Sequence, residues 1–165
     1  MRSDITPGGV FPDYALPDHT GTTRTLSELQ GRDPLILTLA RGHYCPKEHQ
    51  QHLELAAFQS KVAVAYTQIV TIATDERHEL QEFRASVGAW WTFLADPGRI
   101  VQRDLDIQEY TDPEHDPMIP HTLVLNLGSS STASTTATGS GAALRSTTSG
   151  GTCARRRGRV ARIGT

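Results

Sequence analysis

Four short apolar runs, spaced by helical patterns and turns, constrain this chain more than any other feature. They are PLILTLA (Pro34–Ala40), IVTIAT (Ile69–Thr74), TFLAD (Thr92–Asp96) and HTLVLN (His121–Asn126). The first is bounded by Pro34 and by Arg41-Gly42, and its apolar run, interrupted only by Thr38, suits a strand buried on both faces. Cys45-Pro46 then opens a helical stretch, proline being well tolerated at the first helical position. Its buried stripe is expected at Leu53, Ala56, Ala57 and Phe58. ERHELQEFRASVG (Glu76–Gly88) reads as a second helix, capped by Asp75 and stopped at Gly88. GRIVQRDLDI supplies a further helical turn or two. Upstream, FPDYALPDHTGTTRTLSEL reads as an irregular strand, a turn at Gly21 and a short helix opened by Ser27. Alternation of this kind predicts an α/β domain with a central, mostly parallel sheet flanked by helices.

Length and charge narrow the function classes. The 165 residues suffice for one domain with a real core. A formal net charge of −2 gives no field that calls for nucleic acid or anionic lipid. The longest apolar run falls well short of the roughly 20 residues that span a bilayer, so no membrane partner is expected. The N-terminal MRSDITPGGVFPDY lacks the apolar core of a signal peptide. Two cysteines, Cys45 and Cys153, make no disulfide framework, and the expected compartment is the reducing cytoplasm.

Cys45 lies where the first buried strand gives way to a helix, within RGHYCPKEHQ (residues 41–50). Unpaired N–H groups and the positive end of the dipole at a helix start favour an anion there, and Arg41 and His43 add positive charge to the same loop. Such a setting makes a cysteine nucleophilic, as peroxide or disulfide chemistry requires. The competing reading is a buried structural cysteine, a common role for this residue type. Glu48 stands three residues on, where a dithiol motif would carry its second sulfur, so no local disulfide can form.

Other constellations compete for attention. His43, Cys45, His49 and His52 form H-x-C-x3-H-x2-H, a conceivable metal set whose spacing matches no standard zinc finger. Asp112–Pro117 (DPEHDP) combines carboxylates with a histidine, yet its prolines mark it as a solvated loop. Trp90-Trp91 reads as core or interface. Pro120 enters the last strand as an ordinary trans proline or as a cis proline facing the Cys45 helix.

With these residues in view, the chain from about Phe11 to Leu127 resembles the peroxiredoxin and redoxin branch of the thioredoxin superfamily, of the alkyl hydroperoxide reductase–thiol-specific antioxidant type. An F-x-L-P-D-like strand, a G-x-x-x-x-L-S-x-L segment and a buried strand lead to the cysteine. The sub-branch motif R-G-x-aromatic-C-P-x-C is matched at Arg41, Gly42, Tyr44, Cys45 and Pro46. The resemblance implies a thioredoxin-like fold and a peroxidatic Cys45, with Arg41 as its cationic partner. A pocket shaped by His43, Tyr44, Pro46, Glu48 and Pro120 goes with it. It further implies a peroxide substrate, an external thiol reductant, no organic or metal cofactor, and a homodimer among the assemblies open to it. The departures are specific. Typical members carry proline seven residues and threonine three residues before the cysteine, where this chain has Thr38 and Gly42. The second cysteine of the sub-branch is Glu48, and the arginine after the late proline is His121. The hydroxyl that orients the peroxide is therefore missing. A non-catalytic or truncated redoxin-fold protein is the alternative.

Composition changes near Gly128. Residues 1–127 read as the redoxin domain, and residues 128–165 as a Ser/Thr/Gly/Arg-rich tail whose composition buries too little apolar surface to fold. Two readings are open for this segment: a low-complexity tail proper to the chain, or a one-base shift of reading frame near Gly128. In the shifted frame Ser129–Ala142 become an aromatic-rich strand and turn, and Ser146–Ala154 an amphipathic helix. On that reading Cys153 is an accident of frame, and the domain is expected to lack its last strand and helix.

Overall fold

The computed structural model describes residues 1–126 and, as backbone, residues 131–135. A hairpin of β1 (Ala15–Pro17) and β2 (Thr23–Thr25) leads into α1 (Leu26–Gln30). There follow β3 (Leu35–Ala40), α2 (Pro46–Val64), β4 (Gln68–Ala73), α3 (Arg77–Ser86), β5 (Thr92–Ala95), α4 (Ile100–Asp104), β6 (His121–Asn126) and β7 (Ser131–Thr135). The main sheet has the order β5-β4-β3-β6-β7. β3, β4 and β5 pair in parallel, whereas β6 is antiparallel to both β3 and β7. The sheet is thus mixed, with two parallel and two antiparallel ladders among the described strands.

The reversal of β6 positions the site. Because β6 runs against β3, its first residue pairs with the end of β3 (His121 with Leu39). The long loop before β6 therefore arrives at the edge where β3 turns toward α2.

Side-chain alternation divides the core into two layers, as a sheet buried on both faces requires. Leu35, Leu37 and Leu39 of β3 pack with Phe11, Leu105, Ile107 and Met118 on one face. Ala40 belongs to the other, with Phe83 of α3, Trp91 and Phe93, and Ile36 packs against it half-buried. Of the tryptophan pair, Trp91 is core and Trp90 is 70% exposed.

Four expectations need correction. The inward face of α2 keeps only part of the expected stripe: Ala56 and Phe58 pack half-buried against the core, Leu53 is 47% exposed and Ala57 is exposed, and the buried positions are Glu48, His52 and Val62. Two of these are polar, which hides the stripe from any apolar pattern. α1 is capped by the Thr25 hydroxyl, which accepts from the Glu28 N–H, so Ser27 lies inside the helix. α3 is opened by a capping box between Glu76 and Glu79, which leaves Asp75 outside it. Finally, the sheet does not end at β6. The Ser131–Thr135 backbone pairs with it, from Asn126↔Ser131 to Thr122↔Thr135. A strand in a sheet is held by the backbone hydrogen bonds of its ladder. The expected loss of the closing helix, and the reading of Cys153, lie outside the described residues.

Candidate active site

Between β3 and α2 the chain makes a tight turn through Arg41, Gly42, His43 and Tyr44. Gly42 has φ +132°, a conformation that disfavours any side chain. Its carbonyl accepts the Cys45 N–H at 3.2 Å and closes the turn. Cys45 is the N-cap residue of α2, and Pro46 follows as its first residue, where a missing N–H costs nothing. The Cys45 carbonyl accepts the Glu48 and His49 N–H groups at 3.1 and 3.2 Å. Its thiol makes no capping hydrogen bond, and the residue is 7% exposed. Among the described residues it is the one free cysteine.

The end of β4 clamps this turn. The Thr74 hydroxyl donates to the Arg41 carbonyl at 3.1 Å, and Asp75 Oδ2 accepts the His43 N–H at 2.8 Å. Burial, reinforced by Glu79, pushes the Asp75 carboxyl up to about 6, against the pull of the His43 N–H, Arg99 and His115. Asp75 also borders a cavity of about 320 Å³ lined by His43, Tyr44, Glu79, Arg99 and His115.

Glu48, 4% exposed, faces inward from the first turn of α2. Burial pushes its carboxyl up to about 7, opposed by the Arg41 N–H and the Arg41 charge. The Arg41 guanidinium itself lies 2.7 Å from Glu109 Oε2. No N–H is aimed at that oxygen, so the contact is a Coulombic pairing rather than an aligned hydrogen bond. Arg41 therefore answers to two carboxyls, one from α2 and one from the loop before β6.

That loop covers the turn. The Tyr44 hydroxyl donates to Asp112 at 2.9 Å, and its ring stacks on His115 with centroids 3.8 Å apart. Burial and the Asp112 hydrogen bond raise the phenol well above its ordinary range. The DPEHDP segment is the loop expected, exposed at Pro113, Glu114 and His115, and it also docks on the residue preceding Cys45. Sequence reasoning missed Asp75, Glu109, Asp112 and His115, since each joins the turn from 30 or more residues away.

The four-residue metal set does not converge. His52 Nδ1 donates to the Glu48 carbonyl (2.8 Å), and Nε2 faces the Thr71 hydroxyl (3.1 Å) inside the core. His49 Nε2 donates to the His43 carbonyl at 2.9 Å, and both rings lean on Phe83. Among the described residues no group of three or more metal-ligating side chains is arranged around a common point. His121 turns back on its own chain, Nδ1 donating to the Ile119 carbonyl. Pro120 enters β6 through a trans peptide, so the cis alternative does not hold; its register places it at the sheet edge where β3 passes into Arg41.

The fold and this turn can be compared with known proteins. Peroxidoxin BcpB from Mycobacterium tuberculosis superposes with a TM-score of 0.66 at 22% identity, over 73% of this chain and 79% of that one. A Cys-to-Ser mutant of PrxQ from Xylella fastidiosa gives 0.66 at 15% identity, over 76% and 81%. AhpC of Enterococcus faecalis gives 0.65 at 9% identity, over 79% and 78%. These likenesses establish the thioredoxin-like fold. No curated protein matches the sequence. The AhpC/TSA family model matches residues 7–128, from before the hairpin to just beyond β6 and across the whole Cys45 turn, and on that match the chain belongs to the AhpC/TSA family of peroxide-reducing oxidoreductases.

Proposed function

We propose that this protein is a one-cysteine thiol peroxidase in which Cys45 is the reacting group. The Cys45 thiolate attacks the distal oxygen of the peroxide. The S–O bond forms as the O–O bond breaks, and the alkoxide or hydroxide that leaves takes a proton to become alcohol or water. Cys45 is then a sulfenic acid. One external thiol condenses with it, releasing water, and a second thiol resolves the mixed disulfide, so that two electrons enter and the Cys45 thiol returns. Arg41 supplies positive charge beside the turn for the charge that develops on the breaking O–O bond. His43, Tyr44 and Pro46 shape the approach.

The observation that carries this reading is the chemistry around Cys45. The thiol stands at the N-cap of α2, and Glu48 occupies the position from which a local second sulfur would act. Hydrogen peroxide and small organic hydroperoxides are the substrate class, and a thioredoxin-like protein or small thiol is the reductant. A thiol cycle of this kind belongs in a reducing compartment, and we place the protein in the cytoplasm on that ground.

Stopped-flow reaction of the reduced full chain with hydrogen peroxide, with sulfenic acid trapped for mass spectrometry, tests the proposal. The expected result is stoichiometric modification at Cys45, far faster than free cysteine reacts, and none in Cys45→Ser. A Cys45 in folded protein that reacts no faster than free cysteine would refute it and leave a non-catalytic redoxin shell.

A further inference from the structure

Gly42 stands three residues before the reacting cysteine, and a side chain in place of its hydrogen would be strained by its φ of +132° and would displace a neighbour. A Cβ built there would lie 3.0 Å from both Asp75 Cγ and Asp75 Oδ2, and nearer still to Oδ1. The Asp75 carboxyl therefore fills the space into which a residue-42 side chain would project. It also accepts the His43 N–H at 2.8 Å, and the neighbouring Thr74 hydroxyl holds the Arg41 carbonyl at 3.1 Å. The end of β4 thus grips the chain on both sides of Gly42, whose own carbonyl receives the Cys45 N–H.

We propose that Asp75 is a positioning residue for the peroxide reaction: its carboxyl takes the place of the absent side chain at residue 42 and fixes the turn that presents Cys45. The inference rests on the peroxidase reading above and adds to it a residue from a distant element. Asp75 does not touch the thiol. It acts through the His43 amide and through the packing that keeps Gly42 at positive φ. A threonine at residue 42, expected from the family resemblance, would meet this carboxyl. Gly42 and Asp75 are two halves of one solution.

The test compares wild type, Asp75→Asn and Asp75→Ala in the full chain at pH 7.5, with folding checked by near-UV circular dichroism. Three quantities are read: the rate of Cys45 with hydrogen peroxide, its rate with iodoacetamide, and exchange of the His43 amide by NMR. Asp75→Ala is expected to slow the peroxide reaction more than tenfold and to speed His43 amide exchange more than tenfold. Its iodoacetamide rate should stay within about threefold, because alkylation needs an accessible thiolate but not an oriented turn. Asp75→Asn should restore the peroxide rate to within about threefold, since its amide oxygen accepts the same N–H and fills the same space. If Asp75→Ala does not fold, Asp75→Ser replaces it, its hydroxyl being too short to reach the His43 amide. A wild-type peroxide rate in the truncated variant would overturn the proposal, and so would an Asn variant as slow as Ala. If wild-type Cys45 itself proves unreactive toward peroxide, the peroxidase reading fails, while the His43 exchange comparison still decides whether Asp75 holds the turn.

Discussion

Glu48 offers the sharpest test of how this site balances its charges. Its carboxyl is buried beneath α2 and is pushed up to about 7 from its ordinary 4.5. Between those two values the folded chain keeps a proton that the unfolded chain has lost. Stability from this group is therefore complete below about 4.5 and is lost as the pH rises through about 7. At ~1.4 kcal/mol for each pH unit of that gap, the loss comes to about 3 kcal/mol. Glu48→Gln keeps the shape and can still accept the Arg41 N–H, but it cannot ionise. Urea unfolding followed by tryptophan fluorescence, from pH 5 to pH 8.5, should show the two proteins close together at pH 5. By pH 8.5 the variant should be the more stable by about 3 kcal/mol. Curves that stay parallel across the range would refute the reasoning. They would mean that Arg41 neutralises Glu48 fully despite its pairing with Glu109, and that burial does not govern the charge.

The same measurement applied to His52 should give the opposite slope. Burial among Phe83, Trp91 and Phe93 pushes its imidazole down to about 4 from 6.5, so stability is lost as the pH falls between those values. The stability gap between wild type and His52→Asn, measured by urea melts, should narrow by about 3 kcal/mol from pH 7 to pH 4. Gly42→Ala should cost about 3 kcal/mol or more in the same assay, because it adds a contact with the Asp75 carboxyl to an unfavourable φ. Arg41→Met should slow the reaction of Cys45 with hydrogen peroxide by about 100-fold in stopped flow, the usual scale for losing one preorganised electrostatic partner. An unchanged rate would remove Arg41 from the mechanism.

The strands were legible because each is short, apolar and bounded by turn residues, and β3 in particular is buried on both faces along most of its length. The start of α2 was legible as well, since a proline behind the cysteine has one natural place in a helix. The polar part of the inward face of α2 was not. At Glu48 and His52 the helix turns polar residues toward the sheet, and their partners are invisible locally. His52 is satisfied by Thr71, whose hydroxyl also meets Thr38 at 2.8 Å and Trp91 Nε1 at 3.0 Å. The Glu48 carbonyl fixes the His52 tautomer with hydrogen on Nδ1, so Nε2 must accept from Thr71, and Thr71 in turn accepts from Trp91. Four polar side chains from α2, β3, β4 and the entry to β5 satisfy one another only once the fold exists, and no window of sequence contains them together. A fully connected buried network of this kind fixes the register between helix and sheet, where a purely apolar contact would tolerate sliding.

The site follows the same logic. The sequence marks Cys45, Arg41 and Pro46 because a helix start carries its own signature. Glycine in place of the expected threonine reads, from sequence alone, as a missing function. In the fold it is half of an exchange, because the space that glycine leaves is filled by the Asp75 carboxyl. Asp75 was legible only as a helix cap, and the Glu76–Glu79 capping box releases it from that duty. The bare backbone at residue 42 and the uncommitted carboxylate at residue 75 fit one another where β3 and β4 give way to their following turns. Glu109 and Asp112 enter in the same manner, brought to the turn because β6 runs antiparallel to β3 and returns its preceding loop to the edge where β3 passes into α2. Strand direction, which no local pattern encodes, therefore decides which charges meet Arg41 and Tyr44. The departures from the family pattern at residues 42 and 48 are best judged by what β4 and this loop place opposite them.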